Sequence, residues 1–307
     1  MKNLLKFTFA FLLFGTMFLA TSCDDDESVA EPKSIVEIAV ANPDFTTLVA
    51  ALTKADLVSV LQGDGPFTVF APTNAAFAAL LSDLGATSLD DLSKEALTPI
   101  LLNHVISGEF RSTDLSSGYV PSVSNSGPNN ENLDLYIVVD GGVKINSDIN
   151  VTTPDILASN GVIHVVDKVI LPTDVVDIAV DNSNFTSLVG ALGSADGDLV
   201  SVLKGDGPFT IFAPINSAFE DIASVVEGLN SEQLAGVLTY HVVSGNVLSS
   251  DLTNGMTVTT LNGTFTVNIS GSSVTLTDAS GATVNVVATD VQGTNGVIHV
   301  IDKVLLK

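Results

Sequence analysis

The sequence predicts an α+β fold in which one module occurs twice. Two observations carry this prediction. Residues 34–171 and 173–307 contain matching segments in the same order, and the hexapeptide Gly-Asp-Gly-Pro-Phe-Thr occurs at 63–68 and again at 205–210. Within each half, segments with the apolar spacing of helices come first and strand-like segments follow, which is typical of α+β domains.

The early part of each copy predicts amphipathic helices. Apolar residues spaced i, i+3, i+4, i+7 lie on one face of a helix. Four segments have this spacing, at 45–52, 77–84, 185–192 and 219–226. Ser34 and Glu37 have the spacing of a capping box, so we expect the first helix to begin directly after Ser34.

The later part of each copy predicts strands. Residues 133–145 alternate around an Asp-Gly-Gly turn, which predicts a hairpin, and residues 265–276 are the counterpart in the second copy. The final segments, 162–170 and 297–305, are almost continuously apolar. Such runs favour strands that are buried on both faces.

The first 33 residues are expected to lie outside the fold. A short basic start, an apolar run at 7–20 and then Cys23 look like a bacterial lipoprotein signal peptide. We therefore predict a signal peptide at 1–22, a lipid anchor on Cys23 and a flexible acidic tether at 23–33. The tether begins Asp-Asp-Asp-Glu, which resembles the export tag of Bacteroidetes lipoproteins and implies a surface-exposed outer-membrane lipoprotein.

The composition excludes several kinds of partner and site. The 35 Asp and Glu outnumber the 11 Lys and Arg, so the chain lacks the basic surface that displaces counterions from nucleic acid. A single cysteine leaves no internal disulfide. No clustered His or Cys pattern predicts a metal site, and no cofactor is predicted.

Two segments in each copy resemble the signature segments of fasciclin-like (FAS1) domains. The first segment, Thr-Val-Phe-Ala-Pro-Thr-Asn-Ala-Ala-Phe at 68–77, has its counterpart at 210–219. The second, Gly-Val-Ile-His-Val-Val-Asp at 161–167, has its counterpart at 296–302. The resemblance implies two tandem FAS1 modules, at 34–171 and 173–307, each a wedge-like β-sandwich flanked by helices. It also implies adhesion or matrix contact rather than catalysis.

The chain's four histidines are equivalent in pairs between the copies. His104 and His241 each end an apolar ladder with helical spacing, which favours a buried, hydrogen-bonded side chain. The resemblance implies an alternative, because Tyr240-His241 matches a tyrosine–histidine motif linked to integrin binding in animal FAS1 proteins. Asn103-His104 occupies the same place in the first copy without the tyrosine. These four residues are therefore candidates for partner binding.

The remaining polar motifs favour structural roles. His164 and His299 lie within apolar segments, so we expect them to pack inside strands, with metal ligation or catalysis as the alternative. Residues 196–198, Asp-Gly-Asp, lack the alternating ligand spacing of a calcium loop and predict a surface turn.

The function predicted from these features is that of a lipid-anchored cell-envelope adhesion protein that binds an extracellular protein or glycan. One alternative is an outer-membrane carbohydrate-binding protein that assists uptake. The absence of Trp disfavours it, because sugar sites usually stack sugar rings on aromatic side chains. Another alternative is an enzyme that uses the region of His104 or His241, which lacks a recognisable catalytic constellation.

Overall fold

The computed structural model describes residues 32–307. The predicted signal peptide at 1–22, the lipidation site Cys23 and nearly all of the predicted tether at 23–33 lie outside the described residues. Module 1 below means residues 34–171, and module 2 means residues 173–307.

Module 1 alternates helices and strands at first and continues with strands alone. Its helices are α1 (Ile35–Ala41), α2 (Thr46–Lys54), α3 (Val58–Leu61), α4 (Asn74–Asp83) and α5 (Lys94–Leu102). Its strands are β1 (Phe67–Pro72), β2 (Val105–Ser107), β3 (Gly118–Pro121), β4 (Asp134–Val139), β5 (Val143–Ile145), β6 (Ile149–Ala158) and β7 (Gly161–Val166).

Module 2 repeats this order with one additional helix. Its helices are α6 (Val175–Asp181), α7 (Thr186–Ser194), α8 (Leu199–Leu203), α9 (Asn216–Glu220), α10 (Ala223–Val226) and α11 (Ser231–Thr239). Its strands are β8 (Phe209–Pro214), β9 (Val242–Ser244), β10 (Thr257–Thr260), β11 (Gly263–Ser270), β12 (Ser273–Thr277), β13 (Thr283–Gly293) and β14 (Gly296–Ile301).

Each module contains one seven-stranded sheet that folds back on itself. The strand order in module 1 is β2-β1-β7-β6-β5-β4-β3, and module 2 has the equivalent order. Strands β1 and β7 are parallel, and the other neighbours are antiparallel. Register shifts in the pairing of β6 with β7 bend the sheet, and a bridge between Ile106 and Ser122 nearly closes it. The α+β prediction is confirmed. The predicted sandwich is formed by one sheet that bends back on itself.

The helices and the folded sheet enclose two apolar cores in module 1. Phe45, Phe77 and Leu97 belong to a core between the helices and the faces of β1 and β7. Phe70 and Ile145 belong to a second core inside the fold of the sheet. Strand β7 contributes to both cores, which explains why its segment is apolar at almost every position.

Capping side chains mark the starts of α1, α4, α5, α6 and α11. Ser34 and Glu37 form the predicted capping box at the start of α1. Residues 219–226 were expected to form one helix, but the structure has α9 and α10 with a break at Ile222, whose φ is −118° and ψ is 19°. The segment is rich in β-branched residues, which lower helix propensity, and Ile215 provides no capping side chain at the start of α9.

Asn160, which directly precedes the second signature segment and is called the signature asparagine below, joins three distant parts of module 1. Its Oδ1 accepts a hydrogen bond from the backbone N–H of Ile35, and its Nδ2 donates to the carbonyl oxygens of Leu61 and Gly63. Asn295 makes the same three bonds in module 2, to Val175, Leu203 and Gly205. The signature asparagine therefore holds the start of the first helix and the turn before the first strand against the last hairpin.

Candidate functional site

The four residues predicted to contact a partner lie inside the modules. Asn103 and Tyr240 are 1% exposed, and His104 and His241 are 2% exposed. They follow α5 and α11 directly, where the chain enters a short strand. A partner would reach these side chains only if the module opened. The geometry therefore favours the structural interpretation of the motif, and its partner-binding role stays a prediction.

His104 connects the end of α5 with the end of the module. Its Nδ1 lies 2.7 Å from the carbonyl oxygen of Ile100, one turn earlier in the helix. Its Nε2 accepts a hydrogen bond from the backbone N–H of Ile170 at 2.9 Å. Because Nε2 faces a donor, the proton of the neutral imidazole is on Nδ1, where it is donated to Ile100. This one ring thus satisfies two buried backbone groups.

His241 makes the same connection in module 2. Its Nδ1 lies 2.8 Å from the carbonyl oxygen of Val237, and its Nε2 accepts from the backbone N–H of Leu305 at 2.9 Å. The neighbouring Tyr240 donates its hydroxyl proton to the carbonyl oxygen of Thr264 at 2.6 Å. The tyrosine–histidine pair therefore holds strand β11 and the final residues of the chain against α11.

Asn103 replaces the tyrosine of module 2 and has a different task. Its Nδ2 donates to the carbonyl oxygen of Leu171, and its Oδ1 accepts from the hydroxyl of Ser122. Leu171 is the last residue of module 1, so Asn103 fixes the start of the connection between the modules. The departure from the tyrosine–histidine pattern thus has a local structural reason.

Burial keeps both of these histidines neutral. Desolvation lowers the pKa of His104 and of His241 to about 4, although the hydrogen bond to the helix carbonyl opposes the shift. Protonation would place a second N–H against a backbone N–H donor. The arrangement stabilises the fold and gives neither ring a free nitrogen for general acid–base chemistry or metal ligation.

His164 and His299 are completely buried in β7 and β14, as their apolar segments predict. The Nε2 of His164 donates to the carbonyl oxygen of Phe110, and its Nδ1 accepts from the backbone N–H of Asp155. Burial lowers the pKa of His299, which makes the equivalent contacts in module 2.

A Ser, an Asp and a His lie close together beside each of these strand histidines. The hydroxyl of Ser112 donates to the carboxylate of Asp155 at 2.5 Å, and an oxygen of that carboxylate is 4.0 Å from the Nδ1 of His164. In a hydrolytic triad the histidine takes the proton of the serine. Here the carboxylate of Asp155, and not the histidine, accepts the hydrogen bond from the serine hydroxyl. The Nε2 of His164 is already hydrogen-bonded to a backbone carbonyl oxygen. The set instead secures the loop that follows β2 to the bulge in β6.

The described part of the chain contains no group of three or more His, Cys, Asp or Glu residues placed to hold a metal ion. Residues 196–198 form a turn in which Gly197 and Asp198 have positive φ angles.

Between residues 32 and 307, no single helix is long and apolar enough to cross a membrane. The pair Ile35–Ala41 and Pro43–Lys54, bent by 101°, meets that test jointly by length and composition only.

The junction between the modules is a polar site that sequence reasoning missed. Tyr119 of β3 packs against the helical core of module 2, and its hydroxyl accepts from the Nδ2 of Asn182 at 2.8 Å. The carboxylate of Asp134 in β4 accepts from the backbone N–H of Gln292 in β13 at 2.8 Å. These contacts join one edge of the first sheet to module 2.

Burial at the junction disfavours negative charge. Desolvation raises the pKa of Asp134 to about 6, although the hydrogen bond from Gln292 opposes the shift. Desolvation also raises the pKa of Tyr119. Asp181, at the end of α6, has its pKa raised to about 7 by burial, with Asp148 and Asp177 adding to the effect. The contact between the modules therefore becomes more favourable as the pH falls through the range of these carboxyl groups.

Two clefts open at this junction. One, of about 340 Å³, contains Asp181 and the ion pair of Lys168 with Asp148, whose charged atoms are 2.6 Å apart. The other, of about 560 Å³, is lined by amide, hydroxyl and carboxylate groups and contains no aromatic side chain. Its polar lining includes Asn130, Asn132, Ser249 and Ser250.

The sequence carries little signal for the junction. Tyr119 and Asn182 are 63 positions apart, and Asp134 and Gln292 are 158 apart. Neither pair belongs to a repeated motif, because the two modules contribute different surfaces to the contact. The usable signal is the very short connection at 171–173, which predicts a semi-rigid pair of modules.

Comparisons with known proteins agree with the signature segments. The fasciclin domain matches residues 43–172 and 183–307. Protein sll1483 of Synechocystis sp. is 46% identical over 139 residues, which cover 45% of this chain and 73% of that protein. Periostin of Homo sapiens is 31% identical over 255 residues, which cover 80% of this chain and only 29% of periostin.

A solved FAS1 domain pair from the insect cell adhesion molecule fasciclin I has a TM-score of 0.49 and 18% sequence identity, over 89% of this chain and 96% of that one. Fasciclin domains are found in cell-adhesion and matrix-interacting proteins, which are typically not enzymes. The two domain matches together span most of the sequence, and they contain both copies of each signature segment. The chain therefore belongs to the fasciclin domain family.

Proposed function

We propose that this protein is a lipid-anchored adhesion protein of the cell envelope, which presents two joined fasciclin modules to an extracellular protein or glycan. The single observation that carries the proposal is the match of both modules to a family found in adhesion and matrix proteins. The commitment of the buried polar side chains to the fold supports the same conclusion.

Satisfied interior groups leave the exterior as the part that meets a partner. In residues 32–307, every buried side-chain nitrogen and oxygen has a hydrogen-bond partner. The four histidines, which would be the first candidates for catalysis, all bond to backbone groups. Binding then depends on exposed surface, which in this acidic chain suits a partner that carries positive charge.

The proposed anchor is a lipid on Cys23, followed by the acidic tether that holds the modules away from the membrane. Protease treatment of intact cells tests this placement. We expect the modules to be cleaved from whole cells, while a periplasmic marker stays intact. The Cys23→Ser variant should lose the membrane association and appear in the soluble fraction. Full protection of the wild-type modules, released only on lysis, would contradict surface exposure.

A second candidate function is supported by the polar cleft of about 560 Å³ at the junction, whose amides and hydroxyls suit a hydroxyl-rich ligand such as a carbohydrate. The lack of aromatic side chains in its lining weighs against it. Titration with a panel of oligosaccharides distinguishes the two functions. Binding that is lost in Asn130→Ala and Asn132→Ala variants would favour the carbohydrate function over protein adhesion.

A further inference from the structure

A groove of about 540 Å³ opens on the helical side of module 2. It lies between α7, α9, α10 and the start of α11, and its floor includes Ala191, Phe219 and Leu234. Two glutamates, Glu220 and Glu227, line it and are exposed. The groove therefore combines an apolar floor with an acidic rim.

The same surface is covered in module 1. Phe77, the equivalent of Phe219, is fully buried, whereas Phe219 is partly exposed. Leu97 is likewise fully buried, whereas its equivalent Leu234 is partly exposed. Because these residues are the same in both copies, the difference in exposure comes from their surroundings, which include the break between α9 and α10.

Module 1 carries its own cover for this surface. The connection between Asn74 and His104 is five residues longer than the corresponding connection in module 2, and its Leu89 and Leu92 pack against the helical core. The Nζ of Lys54 donates to the carbonyl oxygen of Leu89 at 2.8 Å and holds this segment in place.

Module 2 lacks most of that cover. The shorter connection has no counterpart of Leu89, and Leu229, at the position of Leu92, lines the groove. Ser194 stands at the position of Lys54. Gly190 stands where module 1 has Ala50, and a Cβ atom added to Gly190 would meet no atom within 4 Å. The groove in module 2 is thus an apolar surface from which most of the cover seen in module 1 is absent.

We infer that this groove receives a segment of a partner protein that supplies two apolar side chains about one helical turn apart, flanked by lysine or arginine. The spacing follows from Leu89 and Leu92, which perform this task within module 1. An amphipathic segment laid into an apolar groove is a common mode of peptide recognition.

The basic flanks follow from the charge around the groove. Glu220 replaces Ala78 of module 1, so this part of the acidic rim is specific to the open copy. Residues 173–307 contain fourteen Asp and Glu against three Lys and no Arg. One of these lysines, Lys204, is already paired with Asp174 and Asp177. The rim therefore attracts a cationic segment and repels an acidic one.

Fluorescence anisotropy with a labelled synthetic peptide tests the inference. The peptide has two leucines three positions apart among lysines, and the protein is the full chain with Cys23→Ser. We expect saturable binding that Gly190→Leu weakens at least tenfold, because the new side chain fills the groove. Ala50→Leu, the matched change in module 1, should leave binding unchanged. Removing each rim glutamate should weaken binding about two- to fivefold, as for exposed charge pairs.

Several results would overturn the inference. One is equal binding by the wild-type protein and Gly190→Leu, and another is equal binding of a peptide in which glutamates replace the lysines. Ser194→Lys is an independent test, because its side chain blocks the groove and its charge repels the lysines of the peptide. The inference requires that this variant also bind the peptide more weakly. If cells that carry Gly190→Leu still attach normally while the peptide no longer binds, the groove is not the surface used in adhesion. The proposed adhesion would then use a different surface of the protein.

Discussion

The His241→Leu substitution tests whether the tyrosine–histidine pair is structural. Leucine has a similar volume but forms neither hydrogen bond of the imidazole. The carbonyl oxygen of Val237 keeps a bond from the N–H of Tyr240, whereas the N–H of Leu305 loses its partner in a fully buried position. One buried donor left unsatisfied costs about 1–3 kcal/mol, and the lost second bond adds about 1 kcal/mol. Allowing for the apolar gain of leucine, we expect a loss of about 2–4 kcal/mol.

Denaturant unfolding followed by circular dichroism measures this loss, and amide exchange at Leu305 locates it. His104→Leu is the matched change in module 1 and should act through the amide of Ile170 in the same way. A loss of less than about 0.5 kcal/mol, with unchanged exchange at Leu305, would refute the structural interpretation. If the variant instead keeps its stability but no longer binds a partner, the motif is a binding site.

The same two histidines make stability depend on pH. Their pKa is about 4 in the folded protein, against 6.5 for an unperturbed histidine. Between these values the unfolded chain binds the extra proton, so each histidine lowers the free energy of unfolding as the pH drops from 6.5 to 4. Asp134 and Asp181, whose pKa values are raised, contribute with the opposite sign over this range. The slope is about 1.4 kcal/mol per pH unit for each histidine. His241→Leu should remove one of these two contributions, and an unchanged slope would contradict the assignment.

Three further predictions concern the signature asparagine and the junction. Asn295→Ala removes three hydrogen bonds, two of them buried and one partly buried, and should cost about 3 kcal/mol in denaturant unfolding. A cost below about 1 kcal/mol would contradict its bridging role. Asp134→Asn should stabilise the protein at pH 8 but not at pH 4. The pKa of Asp134 is about 6 in the folded protein, so above that pH the wild type carries an unfavourable buried carboxylate, which asparagine removes. Equal effects on stability at both pH values would argue against this. Tyr119→Phe should cost about 1 kcal/mol and speed proteolysis between the modules, and unchanged cleavage would exclude a role for its bond to Asn182.

Periodicity predicted the parts of the fold that depend on local patterns. The helices at 45–52 and 77–84, the hairpins around Asp140 and Gly271, and the capping box at Ser34 all appear where the spacing placed them. The apolar ladders also favoured burial of His104 and His241 and their hydrogen bonding, because a polar side chain on the buried face of a helix needs partners.

Features that depend on contacts between distant segments could not be predicted in this way. The signature asparagine was visible as a repeat, but its three backbone partners come from elements more than 90 positions away. The break at Ile222 reflects β-branched residues and an uncapped helix start, and the apolar spacing of the segment does not register either of them. The junction and the groove arise where the copies differ, so the repeat that identifies the fold contains no signal for them.

Attachment of cells tests the central claim most directly. The strain without this gene should attach more weakly to its natural surface or biofilm matrix than the wild type. Re-expression of the wild-type chain should restore attachment, whereas the Cys23→Ser chain, released from the membrane, should not. Wild-type attachment by the deletion strain would contradict a role for the two fasciclin modules in adhesion.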